Sequence, residues 1–358
     1  MKNILVVLLV LSYISSVGQS NKAKINFTSA EELTIVGKIF ETDHPYHRVD
    51  TTRFNKIPTD VKRRLICSSG LAISFRTNSE RIYASWETDR KYTTSVLSPV
   101  ASRGLDLYIK KDGKWQFASV GIPTEGKQKS KARIIANLSG QMQECLLYLP
   151  TYSELRSLSI GVLDSAIIEA GEQPFDKRIV IYGSSIVQGA GASRAGTTYP
   201  ARLSRNTGLN FINLGTSGVA KMQPEVVDML KTIKADAFVL DCVPNCHPEQ
   251  ITERTDYLVR EIRKTNPDVP IIMVQTIYRE VGHFDTVMGE RLKMQNENIR
   301  NEYEKLKASG MENLYFLVED NFLGTDHEGT IDGTHPSDLG FDRMVSALQP
   351  KIMEILNR

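Results

Sequence analysis

The sequence predicts a three-layer α/β domain with a five-stranded parallel sheet, preceded by a β-sandwich or jelly-roll domain. Three observations predict this. From Arg178 to the C-terminus, short apolar runs alternate with longer helix-like ones. Between residues 20 and 172 the runs are short, strand-like and divided by turns. The length of 358 residues exceeds one ordinary domain and suits two.

In the second half, residues 179–182 (IVIY) read as a strand that stops at Gly183. A helix-like run over 199–207 ends at Gly208, a residue suited to the left-handed turn after a helix. Further strands are expected at 210–214, 237–243, 270–276 and 314–318. Helices are expected between them at about 224–233, 248–264 and 290–308, with a last one at about 337–356. Strands that alternate with helices imply parallel pairing, a sheet covered on both faces and right-handed crossovers. No Gly-x-Gly-x-x-Gly or Walker-type loop follows the first strand, so nucleotide binding is not indicated.

In the first half, apolar and polar residues alternate over 71–76 (LAISFR) and 81–86 (RIYASW), as in half-buried strands. Residues 105–110 (LDLYIK) lead through Asp112-Gly113, a hairpin signal, into 115–120. More strands are expected at 132–138, 144–149 and 158–162. Trp86 and Trp115 could line a sugar-binding face, but filling the sandwich core is the expected role. Residues 169–178 (EAGEQPFDKR) have the composition of a linker. The domains are therefore expected at 20–172 and 178–358.

Hydrophobic residues make up 41% and charged residues 24%, with a formal net charge of +2. No basic block or aromatic-interleaved basic stripe suggests a nucleic-acid partner. Residues 1–19 resemble an export signal: Lys2, an apolar core over 4–11, then Ser16, Val17 and Gly18. That core is shorter than the roughly 20 residues of a membrane span. An exported protein, periplasmic or extracellular and without stable membrane insertion, is expected. The cysteines, Cys67, Cys145, Cys242 and Cys246, lack zinc-site spacing. Export permits a Cys67–Cys145 bridge, and buried free thiols fit equally well. His44, Tyr46 and His47 surround Pro45 in what reads as a surface loop rather than a metal site. No metal or organic cofactor is expected.

The chemistry gathers at the strand ends, where open parallel sheets collect reacting groups. The first strand ends at Gly183-Ser184-Ser185, the second at Gly215-Thr216-Ser217-Gly218, and the third runs into Val243-Pro244-Asn245. The last leads to Asp332-Gly333-Thr334-His335-Pro336. A serine hydroxyl needs a base to become a nucleophile. That base needs an acceptor on its other nitrogen. The developing oxyanion needs aimed donors. Ser185, His335, Asp332, Gly218 and Asn245 are the residue types that supply these roles.

This pattern resembles the SGNH (GDSL-type) hydrolase superfamily. Gly183-Ser184-Ser185 stands for its Gly-Asp-Ser block, with Ser184 at the Asp position. Gly218 falls at its oxyanion glycine, and Asn245 survives from a Gly-x-Asn-Asp block that here reads Val243-Pro244-Asn245-Cys246. The Asp332-x-x-His335 block is intact. Gly104-Leu105-Asp106-Leu107-Tyr108 resembles the signature of the N-terminal domain in a secreted bacterial group of the superfamily. The resemblance implies a flavodoxin-like catalytic domain and a serine esterase. Ser185 would be its nucleophile, with Ser184 and Cys246 as competitors. His335 would be the base, with His327 as competitor, and Asp332 the orienter. The N–H groups of Ser185 and Gly218 and the Asn245 amide would form the oxyanion hole. Arg194, Tyr278 and Arg279 fall in loops on the same face and are expected to contact substrate. The expected substrate is a small acylated molecule or carbohydrate carrying short acyl groups such as O-acetyl. A lipid or lysophospholipid acylhydrolase is the alternative enzyme. A carbohydrate-binding protein with little turnover is the alternative of another class.

Overall fold

The computed structural model describes residues 24–357 apart from 92 and 94. The export signal expected over residues 1–19 lies outside the described residues.

Two antiparallel sheets pack face to face in the N-terminal region. One orders Ile25–Ser29, Leu155–Leu163, Arg81–Thr88 and Lys129–Ala136. The other orders Ile168–Ala170, Ala72–Thr77, Gln143–Tyr148, Leu105–Lys111 and Lys114–Gly121, with Thr34–Val36 paired to Ala72–Thr77. Phe75, Ile82, Trp86, Leu105, Leu147 and Ile160 form the core between them. Asp112 and Gly113 both take positive φ, 51° and 75°, as a tight two-residue hairpin requires. Trp86 fills the core as expected, its indole N–H donating to the Arg103 carbonyl at 2.9 Å. Trp115 does not; it is half-buried at a separate cluster with Tyr108 and Tyr148. Part of the polar stretch before Arg178 is ordered into sheet. Ile168–Ala170 pairs with Ala72–Thr77, and the first parallel strand begins at Asp176.

The second sheet system is parallel throughout. Asp176–Gly183 lies between Leu209–Gly215 and Ala237–Asp241, and Ile271–Val274 and Leu314–Leu317 follow outward. Successive side chains point to opposite faces of a strand. Val180, Tyr182, Phe238 and Leu240 therefore meet the helices Pro224–Leu230, Pro248–Thr265 and Thr286–Ala308. Ile179, Ile181, Val239 and Ile272 meet Tyr199–Thr207 and Asp338–Leu356 on the other face. The order of strands places the first beside both the second and the third. Its carboxyl end is the point where the order reverses, the usual ligand position in such sheets. One segment of the first half joins this core. Ile39, Val49, Ile57, and Val61 and Leu65 of the unforeseen helix Thr59–Leu65, pack on the parallel sheet.

Strand period two also joins the domains. Leu105 and Leu107 point into the sandwich, so Asp106 and Tyr108 point out of it, toward the parallel-sheet domain. Gly104 lets the strand begin there, because a Cβ would lie 2.7 Å from the carbonyls of Gly121 and Val100. Asp106 is wholly buried and accepts from Arg194 Nη1 at 3.1 Å and from the Gly196 N–H at 2.8 Å. Tyr108 accepts from the same guanidinium at 2.6 Å, and Arg205 lies 3.9 Å from the Tyr108 ring centroid. A second buried link is Arg48. It donates to the carbonyls of Cys67 at 2.8 Å and of Asn213 and Gly215 at 3.0 Å.

Two predictions follow from these buried charges. Arg194→Ala strands the Asp106 carboxylate in a dry interface, which should lower stability by about 3 kcal/mol. Urea unfolding should show this as an earlier midpoint, and KM should not change. Asp241 is buried at the end of its strand and accepts from the Tyr199 hydroxyl at 2.8 Å. Burial pushes its carboxyl up to about 7, against the Tyr199 hydrogen bond. An unfolded carboxyl titrates at about 3.9. The folded chain therefore holds a proton that the unfolded chain releases, and stability falls as pH rises from about 4 to about 7. Thermal melts should show Asp241→Asn more stable than the parent at pH 8, with the gain vanishing toward pH 4.

Candidate active site

The first parallel strand stops at Gly183 because its neighbours leave no room. A Cβ there would lie 2.3 Å from Val187 Cγ2 and 2.4 Å from the Asp241 carbonyl. The chain turns at once into the single helical turn Ser185–Gln188. Ser184 is the cap of that turn: its hydroxyl accepts from the Ile186 N–H at 3.3 Å and is fully buried. Serine and aspartate are both good caps, so a serine can stand where the Gly-Asp-Ser pattern has aspartate. The two serines differ in what each touches. Ser185 Oγ lies 3.0 Å from His335 Nε2.

His335 stands on a closed turn. The Ile331 N–H donates to the His335 carbonyl at 3.0 Å, and Thr330 bridges to Pro336. Asp332 accepts from His335 Nδ1 at 2.8 Å, and from the backbone N–H groups of His335 at 2.7 Å and Thr334 at 3.0 Å. Burial raises the Asp332 carboxyl, but the hydrogen bonds from His335 and Thr334 outweigh it and hold the group below its ordinary value. An ionised Asp332 keeps the proton on Nδ1 and leaves Nε2 as the acceptor facing Ser185.

Three donors lie on neighbouring strand ends. The backbone N–H groups of Ser185 and Gly218 have no hydrogen-bond partner among the described residues. Asn245 ends the 3-10 turn Val243–Asn245. Its Oδ1 accepts from the Ala220 N–H at 3.3 Å, which leaves the NH2 as its free end. That turn is held from behind. Arg279 donates to the Pro244 carbonyl at 2.7 Å, and Gln295 to the carbonyls of Val243 at 3.3 Å and Cys246 at 2.6 Å. Such a set can attack an acyl carbon, shuttle one proton and stabilise an oxyanion.

The remaining candidates fall elsewhere. Arg194 is a correction: its guanidinium is committed to Asp106 and Tyr108 at the domain interface. Arg279 supports the Asn245 turn rather than presenting a free guanidinium. The Tyr278 hydroxyl donates to the Gly282 carbonyl at 2.9 Å, and its ring borders a cavity of about 240 Å³. His327 Nδ1 faces Glu280 at 2.8 Å, not a serine. Cys246 is buried, and burial pushes its thiol up to about 12, which leaves no thiolate to act as nucleophile. All four cysteines are free, so Cys67 and Cys145 are not bridged.

Two supports had no signal in the sequence. Gln188 is wholly buried, accepts from the Ser217 N–H at 2.9 Å and donates to the Thr151 carbonyl at 3.1 Å. It thereby fixes the loop that carries Gly218. Tyr152, from the first domain, donates to the Ser185 carbonyl at 3.3 Å. Neither partner is near in sequence, and a lone Gln or Tyr carries no motif.

A family model described as GDSL-like lipase/acylhydrolase matches residues 176–353. A second, described as the GxDLY N-terminus of SGNH-hydrolase-type esterases, matches residues 25–168. No curated protein sequence matches significantly. Among solved structures, one from Bacteroides ovatus described as a GDSL-like lipase is 53% identical, covers 93% of this chain and 98% of its own, and has a TM-score of 0.92. The salicylyl-acyltransferase SsfX3 of a tetracycline biosynthetic pathway is 18% identical over 92% of this chain and 97% of its own, with a TM-score of 0.73. A family two carbohydrate esterase from Clostridium thermocellum, in complex with cellohexaose, is 15% identical over 81% of this chain and 93% of its own, with a TM-score of 0.60. The last two show the shared fold. The matched family models and the Bacteroides ovatus relative establish that the chain belongs to the GDSL-like (SGNH) lipase/acylhydrolase family, with a GxDLY-type N-terminal domain, and is an ester-bond hydrolase.

Proposed function

We propose that the chain is an exported serine esterase that removes short acyl groups, O-acetyl foremost, from carbohydrate. The hydrogen-bonded series Ser185–His335–Asp332 carries this reading. Ser185 Oγ attacks the ester carbonyl carbon while His335 Nε2 takes its proton. The N–H groups of Ser185 and Gly218 and the Asn245 NH2 stabilise the tetrahedral oxyanion. The sugar oxygen leaves with the proton from His335, and the acyl group stays on Ser185. His335 then takes a proton from a water that attacks the acyl carbon; as the bond to Ser185 Oγ breaks, the protonated His335 returns that proton to the serine and the free acid leaves. Asp332 orients the ring throughout. Export is supported by residues 1–19, and no helix among the described residues is long and apolar enough to cross a membrane. The choice of carbohydrate is supported by likeness, across both domains, to the esterase crystallised with cellohexaose.

Hydrolysis of p-nitrophenyl acetate tests the machinery. Ser185→Ala should lower kcat by about six orders of magnitude, with an unchanged melting temperature. Asn245→Ala should cost about two to three orders. Activity retained in Ser185→Ala would remove the serine from its role. The substrate is tested separately by an acyl series from acetate to palmitate beside acetylated xylan. Acetate and acetylated glycan should be cleaved fastest; a preference for long chains would favour the lipid reading instead.

A further inference from the structure

A second cluster of donor atoms lies beside the His335 turn. Glu280 and His283 belong to the 3-10 turn Glu280–His283, and His327 to the segment after the last parallel strand. Each offers one ligand atom, and the three atoms lie within 4.8 Å of one another. Glu280 Oε2 is 2.8 Å from His327 Nδ1 and 3.8 Å from His283 Nε2. Glu280 is largely buried, its side chain 15% exposed, and has no Lys or Arg ion-pair partner among the described residues. The cluster borders the same cavity of about 240 Å³ as Tyr278.

Two imidazoles and a carboxylate are the donor set of open, three-ligand zinc sites. With bonds of about 2.1 Å to a tetrahedral ion, donor atoms stand about 3.4 Å apart. The two Glu280 separations bracket that value. The rings of His283 and His327 cross at 82° with centroids 4.7 Å apart, so their lone pairs are not held side by side in parallel planes. A rival cluster of His44, His47 and Glu154 is as compact. Its imidazoles, however, stack at 4.0 Å with 9° between planes. The lone pairs of stacked rings run side by side and do not converge on one ion.

We propose that Glu280, His283 and His327 bind a divalent metal ion of the zinc class, leaving one coordination position open to solvent. The ion joins the turn after the fourth strand to the segment after the fifth. The first of these also contacts the catalytic turn, since the Val281 N–H donates to the Gly333 carbonyl at 3.0 Å. Metal occupancy would then steady the loop that carries Asp332 and His335.

Calorimetric titration of the EDTA-treated chain, without an oligohistidine tag, with zinc chloride tests this, alongside its melting temperature. The expected result is one saturable zinc per chain and a raised melting temperature. His283→Ala and His327→Ala should each weaken binding by more than about tenfold, and His47→Ala should not. The absence of saturable binding, full affinity in the first two variants, or loss of binding in His47→Ala would each overturn the assignment.

Discussion

The contact on which this molecule depends is the hydrogen bond between Ser185 and His335, which joins positions 150 residues apart. A hydroxyl and an imidazole gain little from one such contact, about 1 kcal/mol net. The bond cannot hold the site together; the site must hold the bond. On one side stands a strand end closed by Gly183 and capped by Ser184. On the other stands a turn whose carboxylate, Asp332, takes three hydrogen bonds from the residues just after it. The parallel sheet supplies the distance between them, and its two buried faces supply the rigidity.

The N-terminal domain belongs to this scaffold. Its edge sends Asp106 and Tyr108 to Arg194, and its loops send Thr151 to Gln188 and Tyr152 to the Ser185 carbonyl. Arg48 ties the segment between the strands Thr34–Val36 and Ala72–Thr77 to the end of the second parallel strand, with backbone carbonyls as its main acceptors. A buried guanidinium without a carboxylate is costly unless every donor is used, and burial lowers its pKa to about 10. These links run to the segments that carry Ser185 and Gly218. The first domain thus acts as a buttress for the proposed nucleophile and for one proposed oxyanion donor.

Much of this was legible in the sequence. Apolar runs ending in Gly-Ser-Ser and Gly-Thr-Ser-Gly mark strand ends because a β-prone run broken by small polar residues has few other readings. The helix Tyr199–Thr207 matches its expected bounds because Gly208 ends it. The long helix begins at Thr286 rather than near 290, since Asp285 caps it with a bond to the Met288 N–H. What escaped were contacts between distant positions. Arg194 looked free because its partner lies 88 residues earlier. Trp115 left the core because its strand edges the sheet that faces the second domain. The helix Thr59–Leu65 is only seven residues long and is stabilised by packing on a sheet formed later in the chain.

The most direct test of the central claim is covalent labelling with a fluorophosphonate, followed by peptide mass spectrometry. The geometry predicts a single adduct on Ser185, formed far more slowly in His335→Ala. An adduct on Ser184, or no adduct in the active parent protein, would contradict it.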